Sequence, residues 1–338
     1  MKTRRYFLSV ILLLALSLAA ADESHRIVMG GKAVTMVADA VYAFPGARSR
    51  VVAVGGTDQG LGTFLETVSP SYKNLPEFDR QAGVEVYASF RPDLVILKSS
   101  LKKTLGPGLD VLGIKTAYLS LELPSEYYTE LLFLGELFNE QSRARELVAY
   151  YKNVVSRAET AAAIALKVPG VQRPRVLLLQ ASGDGFEVPP TSWIQTEMVR
   201  LAGGQAVWTQ ANPGSAWAKV GPEQIVAWNP DYIFVISYRE DAAALADSMK
   251  KDRRYSSLKA VRDDRVLGFA QDFLSWDQPD TRWALGLLWL SNMLFPAAMP
   301  GFSIEKEARQ FYELLYDFNS ASFDAIIKPR LRTSGRPE

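Results

Sequence analysis

The sequence predicts an α/β protein of two lobes, each with a mostly parallel sheet, linked by a single long α-helix. Three observations lead there. Residues 83–97, GVEVYASFRPDLVIL, are echoed 138 positions later by residues 221–235, GPEQIVAWNPDYIFV, with Gly83/Gly221, Glu85/Glu223, Phe90/Trp228, Pro92/Pro230 and Asp93/Asp231 in register. In both halves short continuous apolar runs alternate with helical patterns, as buried parallel strands covered by helices require. The longest helical pattern of the chain lies between the copies. Two copies are too few for a solenoid and point to a repeated lobe with a cleft between.

The elements follow in order. Residues 1–21 read as a cleavable secretory leader: Lys2, Arg4 and Arg5, then 14 largely apolar residues from Phe7 to Ala20, then the small residues Ala19-Ala20-Ala21. The apolar run is short for a membrane span, although an uncleaved anchor is the competing reading. The N-terminal lobe is expected over 22–138. Residues 34–41 carry weak strand signals. Residues 50–54, RVVAV, form a clear strand, followed by the glycine-rich loop VGGTDQGLG at 54–62. In the first repeat copy a helix over 85–90 stops at Pro92, because proline disfavours helical geometry in the residue before it. Strands follow at 94–97 and 114–119. The series reads as a Rossmann-like lobe.

Ser125 is a plausible helix cap with Glu126 in the first turn. The helical pattern breaks near Asn139 and resumes over 140–166 with Ala144, Leu147, Val148, Tyr151, Val155 and Ala158 at three- and four-residue spacing. The connecting helix is therefore placed at 139–168 and the C-terminal lobe at 169–338; a surface helix packed on one lobe is the alternative. The second lobe repeats the scheme: a strand at 175–180, the loop ASGDGFEV at 181–188, a helix at 191–202, the second repeat copy, a strand at 266–269 and the loop QDFLSWD at 271–277. A helix apolar on nearly every side spans 280–295, and an amphipathic one closes the chain at 304–318.

Composition narrows the function. The 338 residues are 48% hydrophobic and 22% charged with formal net charge +1, ordinary globular values. Without the leader, 35 basic residues face 37 acidic ones and no basic block stands out, so nucleic acid is not an expected partner. There is no cysteine, hence no lipidation site, and the export signal fits a soluble periplasmic protein, expected as a monomer. The single histidine, His25, sits beside the expected cleavage site. A Ser-His-Asp or Cys-His site is therefore not expected, G-x-S-x-G is absent, and no local spacing marks a carboxylate pair. Neither a resident cofactor nor a bare transition-metal site is expected, since such sites draw on His, Cys and carboxylates. The glycine loop is no phosphate loop, as no Lys-Ser/Thr follows, and it has the wrong spacing for a dinucleotide fingerprint.

Ligands of open α/β sheets bind at strand carboxyl ends. The candidates there are Gly56, Thr57 and Asp58; Ser99 and Ser100; Ser182, Asp184 and Phe186; Tyr238 and Arg239; Asp272 and Trp276. Small and polar groups would fix polar atoms, and the aromatics would grip a large planar or apolar ligand. Trp193 and Trp217 read first as core; Trp217 is retained as a candidate. The bland reading is that these are ordinary loop residues capping helices. Glu85 and Glu223, taken singly, are first-turn charges favourable to the helix dipole. As a matched pair they suggest two acidic points meeting a symmetric partner.

Together the motifs resemble the periplasmic substrate-binding proteins of ABC importers for cobalamin, ferric siderophores and haem. The resemblance rests on RVVAVGG at 50–56, E-x6-P-D-L-V-I from Glu85, L-G-I-K at 112–115, E-x-V-x-Y-Y-K-N-V at 146–154, E-x6-P-D from Glu223, S-L-K-A-V-R-D-D-R-V at 257–266 and F-Y-E-L-L-Y at 311–316. It implies a binding protein without catalysis that captures a metal chelate (ferric siderophore, haem or corrinoid) between its lobes. It also implies delivery to a dimeric permease and its ATPase, with Glu85 and Glu223 docking into arginine pockets, and small lobe movement. Some relatives bind molybdate or tungstate, which Arg239 could serve. The competing class is a secreted α/β hydrolase.

Overall fold

A computed structural model describes residues 26–57, 59–183 and 185–333; the leader, His25, Asp58 and Asp184 lie outside the described residues. The first lobe holds β1 (Ile27–Met29), β2 (Val51–Gly55), β3 (Glu77–Phe78), β4 (Leu94–Lys98) and β5 (Thr116–Leu119) in the order β3-β2-β1-β4-β5, every pair parallel. The second holds β6 (Arg175–Ser182), β7 (Gly185–Val188), β8 (Gln205–Ala206), β9 (Ala218–Val220), β10 (Tyr232–Ile236) and β11 (Val266–Gly268). Its order is β11-β10-β6-β7-β9, with β8 beside β6. The β6–β10, β10–β11 and β6–β8 pairs are parallel, and β7 pairs antiparallel with both β6 and β9.

Three segments differ from the sequence expectation. Val34–Tyr42 is a helix, not a strand. Val34, Val37, Ala38 and Val41 are buried at helical spacing, and Ala40 is buried beside them, which blurs the period. Residues 181–188 form the tip and return strand of a hairpin, with Gln180 opposite Glu187 and Ser182 opposite Gly185. The helix after β5 starts at Pro124, with Leu123 rather than Ser125 in the cap position.

The repeat has an atomic basis. In the first lobe the Asp93 carboxylate accepts the Arg26 N–H at 2.8 Å, and the Arg26 guanidinium donates to the Phe90 carbonyl at 2.9 Å. In the second, the Asp231 carboxylate accepts the Arg175 N–H at 2.8 Å, and Arg175 donates to the Trp228 carbonyl at 2.8 Å. Each Pro-Asp turn thus ties the end of a helix to the start of its lobe's first strand. Gly83 and Gly221 cap the two helices in extended conformation. A Cβ on either would crowd the following glutamate, 2.7 Å from Glu85 Oε2 and 3.1 Å from Glu223 Oε2.

The helix Gln141–Leu166 lies between the two series. Its 26 residues span about 39 Å at 1.5 Å per residue. Asn139, in left-handed conformation at φ 59°, breaks it from the helix Pro124–Leu137. Tyr151 stacks on Trp283 at 5.1 Å and donates to the Thr281 carbonyl at 2.8 Å, fixing the helix to the second lobe. The C-terminal helix Ile304–Tyr316 reaches back to the first: Phe64 packs on Tyr316 with ring centres 4.8 Å apart, and Arg48 pairs with Asp317 at 2.9 Å. One buried apolar cluster runs through both lobes, from Ile27 and Tyr42 to Phe234 and Phe311.

Where the two lobes meet, that shared core encloses charge. Arg282 is fully buried and faces Asp39 of the first lobe, Asp272 at 3.0 Å and Asp280 at 3.8 Å. Its guanidinium also lies 4.1 Å from the centre of the Phe64 ring. Burial pushes the Asp39 and Asp280 carboxyls above the usual carboxylate range, with Arg282 pulling the other way.

Candidate functional site

The carboxyl ends of both sheets carry the candidate site. In the first lobe the strand order reverses between β1 and β4, and Gly30 and Gly31 follow β1 there. Gly31 has φ +80°, and a Cβ on it would come within 2.3 Å of Leu101, so only glycine fits. Sequence reading missed this pair; the cue was two adjacent glycines directly after a three-residue apolar run. Ser99 and Ser100 follow β4 and are exposed, as is Thr57 after β2. The Thr57 hydroxyl lies 3.2 Å from that of Thr35, and Gly56 is half-buried beside it.

The glycine loop reaches the second lobe. The Gly60 N–H donates to the Tyr238 carbonyl at 2.8 Å and the Leu61 N–H to the Phe273 carbonyl at 2.7 Å. Gly60 and Gly62 have φ of +103° and +121°, which lets the backbone come this close.

Opposite stands an aromatic group. Trp193 and Trp217 meet edge to face at 5.8 Å, and Trp217 meets Tyr238 at 6.2 Å. All three are half-buried. The Tyr238 hydroxyl donates to Asp277 Oδ2 at 2.9 Å, and Gln195 Nε2 donates to the same oxygen at 3.2 Å. Ser275 holds the other Asp277 oxygen at 2.5 Å. Burial raises the Asp277 carboxyl above its usual range. Burial also raises the Tyr238 hydroxyl; the charges of Asp277 and Glu122 add to the effect, so Glu122 of the first lobe lies within electrostatic reach of Tyr238.

Glu122 belongs to a constellation assembled from distant parts of the sequence. Lys98 is buried, donates to Glu122 Oε1 at 2.8 Å and also donates to the Ser120 carbonyl. Glu130 accepts the N–H groups of Ser120 and Leu121 at 2.6 and 2.8 Å, fixing the loop that carries Glu122. Two buried oxygens here have no hydrogen-bond partner among the described residues: Glu122 Oε2 and Gln195 Oε1. Both are buried acceptors that a donor, from water or from a ligand reaching them, would satisfy.

The remaining candidates divide. Ser182 and Phe186 sit on the hairpin, and Phe186 packs edge to face on Tyr255 at 6.4 Å. Arg239 is exposed next to Tyr238, its backbone N–H 3.4 Å from the Ser237 hydroxyl. Asp272 and Trp276 are not at the surface: they are 2% and 0% exposed. Trp276 Nε1 donates to Asp272 Oδ2 at 3.0 Å, Tyr312 donates to the same oxygen, and Arg282 pairs with Asp272 Oδ1. Their loop turns inward because the Trp276 N–H returns to the Ala270 carbonyl at 2.9 Å. These two side chains lie in the buried core where the lobes meet and have spent their polar atoms on protein partners.

Glu85 and Glu223 are exposed in the first turns of the helices Val84–Ser89 and Pro222–Trp228. Each helix runs back along its sheet before entering β4 or β10, which leaves both glutamates toward the carboxyl-end face. Among the described residues, no group of three or more His, Cys, Asp or Glu side chains is suited to hold a metal ion, and no helix is long and apolar enough to cross a membrane.

Two α/β lobes joined by one helix, with glycine, aromatic and polar groups gathered at facing sheet ends, define a two-lobed binding protein. Residues 28–272 match the family described as periplasmic binding proteins, and the chain belongs to that family. A cobalamin-binding protein of Halobacterium salinarum is 27% identical over 197 residues, 57% of this chain and 51% of that one. The chain thus spans about half the length of the curated relatives it matches. A periplasmic solute binding protein of Veillonella parvula shares the fold at TM-score 0.72 and 20% identity, over 90% of this chain and 92% of the other. The molybdate periplasmic binding protein MolA of Haemophilus influenzae, solved with molybdate bound, does so at TM-score 0.71 and 16% identity, over 87% and 94%.

Proposed function

We propose that this protein captures a metal chelate (a ferric siderophore, haem or corrinoid) between its lobes in the periplasm and delivers it to the permease of an ABC importer. The observation that carries the reading is the pairing of the Trp193–Trp217–Tyr238 group with two buried spare acceptors, Glu122 Oε2 and Gln195 Oε1. An aromatic surface of that extent suits a large ring system or apolar chelate, and spare acceptors suit amide or hydroxyl donors on its periphery. An oxyanion brings only acceptors and would face both oxygens unfavourably. Candidate contacts are Gly56, Thr57, Asp58, Ser99, Ser100, Ser182, Asp184, Phe186, Trp217, Tyr238 and Arg239. Gly30, Lys98, Glu122, Trp193 and Gln195 join them, while Asp272 and Trp276 act from the buried core where the lobes meet. Glu85 and Glu223 are the docking points, one per lobe, for a permease of two like subunits.

The second reading, molybdate or tungstate, is favoured by the likeness to MolA over 87% of this chain and by Arg239. A thermal-shift panel separates the two. Ferric siderophores, haem, cobalamin, molybdate and tungstate are each added to the mature protein. A ligand at a hundredfold its Kd stabilises the native state by about 2.7 kcal/mol. One chelate is expected to raise Tm and to lose that effect in Trp217→Ala. A shift confined to molybdate or tungstate overturns the chelate reading, and ester or glycoside turnover would replace it with a hydrolase.

A further inference from the structure

The second lobe has a cavity of about 970 Å³ at the end of its sheet away from the cleft. Arg175 and Tyr232 in its wall are the first residues of β6 and β10, and Arg265 immediately precedes β11. Glu85, Glu223 and the aromatic group all belong to the other, carboxyl-end side. The cavity is therefore separate from the candidate ligand cleft and from the docking points, and both regions can be occupied together.

Its lining has two characters. One wall is apolar: Ile164 from the last turn of the connecting helix, Val168 and Val171 beyond it, and Leu294 and Phe295 from the end of the buried helix. Ile164, Val168 and Val171 are 52%, 51% and 39% exposed, an unusual clustering of aliphatic side chains in water. The other wall is cationic: Arg173, Arg175, Lys259 and Arg265 face a single carboxylate, Asp231. Arg175 and Asp231 are explained by the Pro-Asp device that both lobes share, and Lys259 pairs with Asp231 at 2.6 Å. Arg173 and Arg265 are less fully matched: Arg265 adds to the positive charge that holds the Asp231 carboxyl low, but that carboxylate is already bound by Lys259 and the Arg175 N–H. Arg173 reaches only the Gly203 carbonyl, at 3.3 Å, and Arg265 lies over the Tyr232 ring at 4.9 Å. Among the described residues neither has a carboxylate within ion-pair distance.

An inorganic anion would leave the aliphatic wall wet, and a neutral lipid would leave the surplus positive charge unmatched. The volume is that of a small-molecule site. From this complementarity we infer a second binding site that takes an amphiphilic anion: a single alkyl chain bearing a carboxylate or phosphate. The chain lies along Ile164, Val168 and Val171, and the head group meets Arg173 and Arg265, forming charge-assisted hydrogen bonds that guanidinium groups favour.

Titration calorimetry on the mature protein tests this, with decanoate and decyl phosphate below their micelle concentrations. Decanol, decyltrimethylammonium and inorganic phosphate serve as comparisons. Saturable binding of one anion per chain is expected, with the three comparisons at least about tenfold weaker. Arg173→Gln with Arg265→Gln is expected to weaken anion binding by about tenfold or more, while Trp217→Ala leaves it unchanged. Should the double variant fail to fold, Arg173→Gln alone, at an exposed position, is expected to show a smaller loss in the same direction. Absence of saturable anion binding, equal binding of decanol, or loss of binding in Trp217→Ala overturns the inference. The thermal-shift panel addresses the cleft independently, so the two readings fail separately.

Discussion

The charge cluster where the lobes meet yields the sharpest prediction. Arg282→Met keeps side-chain length and apolar contact with Phe64 but removes the guanidinium that faces Asp39, Asp272 and Asp280. Arg282, Asp39 and Asp272 are 0% exposed at the side chain and Asp280 is 1%, so water cannot replace the lost partner. Removing one member of a buried ion pair costs about 3–5 kcal/mol, because a desolvated charge is left behind. In a chain of this size each kcal/mol moves Tm by roughly 2 °C, so a fall of about 6–10 °C at pH 7 is expected. The deficit should shrink as pH falls, since the stranded carboxyls can then take up protons.

Asp39 comes from the first lobe and Arg282 from the second, so the loss falls on the lobe interface. Adding Asp39→Asn to Arg282→Met should recover part of the stability, because it removes one stranded charge. Calorimetric melts of the unmodified protein and the two variants from pH 5 to 8 measure this. A Tm unchanged at pH 7 in Arg282→Met, or a double variant no better than the single, refutes the assignment of the cluster as an interlobe electrostatic tie.

Three further outcomes follow from the same geometry. Glu85→Lys with Glu223→Lys should abolish uptake in cells while ligand affinity of the purified protein stays unchanged; uptake at the unmodified rate removes the docking role. Burial raises the Asp280 carboxyl in the folded state, so its contribution is fully present below the unfolded pKa near 4 and is lost as pH rises through the folded value. Asp280→Asn keeps an oxygen for the Arg282 N–H, now accepted at 2.6 Å, and should therefore stabilise at pH 7 and lose that advantage near pH 4, as read from melts across that range. Burial alone would raise the Asp231 carboxyl too, but Lys259 and the Arg175 N–H outweigh it and hold it low, so its contribution is present above the unfolded pKa and lost as pH falls through the folded one. Asp231→Ala should cost about 1.5–3 kcal/mol in urea unfolding at pH 7 and less in acid; no loss at pH 7 contradicts the capping role.

What the sequence disclosed tracks what local spacing can encode. Glu85 to Pro92-Asp93 and Glu223 to Pro230-Asp231 are intervals within one helix and turn, and both lobes keep them. The break at Asn139 was readable because the apolar stripe stops there. The helix Val34–Tyr42 was not, since burial on several sides fills the period in. The inward turn of the loop holding Asp272 and Trp276 was also hidden. Besides the local Trp276–Ala270 bond it is held by Arg282 and Tyr312, which lie 10 and 40 positions beyond Asp272 and declare no partner in the sequence. Lys98 with Glu122, and Gln195 with Asp277, are likewise meetings of distant segments.

The duplication and the candidate site are written in different residues. Asp93 and Asp231, Arg26 and Arg175, and Gly83 and Gly221 make matching contacts in both lobes, and these contacts build scaffold. The site draws on what the lobes do not share. The first lobe contributes a glycine pair at its strand-order reversal and the Lys98–Glu122 pair. The second contributes an antiparallel hairpin and the Trp193–Trp217–Tyr238 group. A symmetric partner can meet only the repeated features, so Glu85 and Glu223 suit docking. An asymmetric ligand needs two unlike walls, and on the proposed reading the departures from the repeat would supply them. Substitutions at the matched positions should therefore alter stability or delivery in both lobes alike, whereas substitutions at the unmatched ones should change which ligand is held.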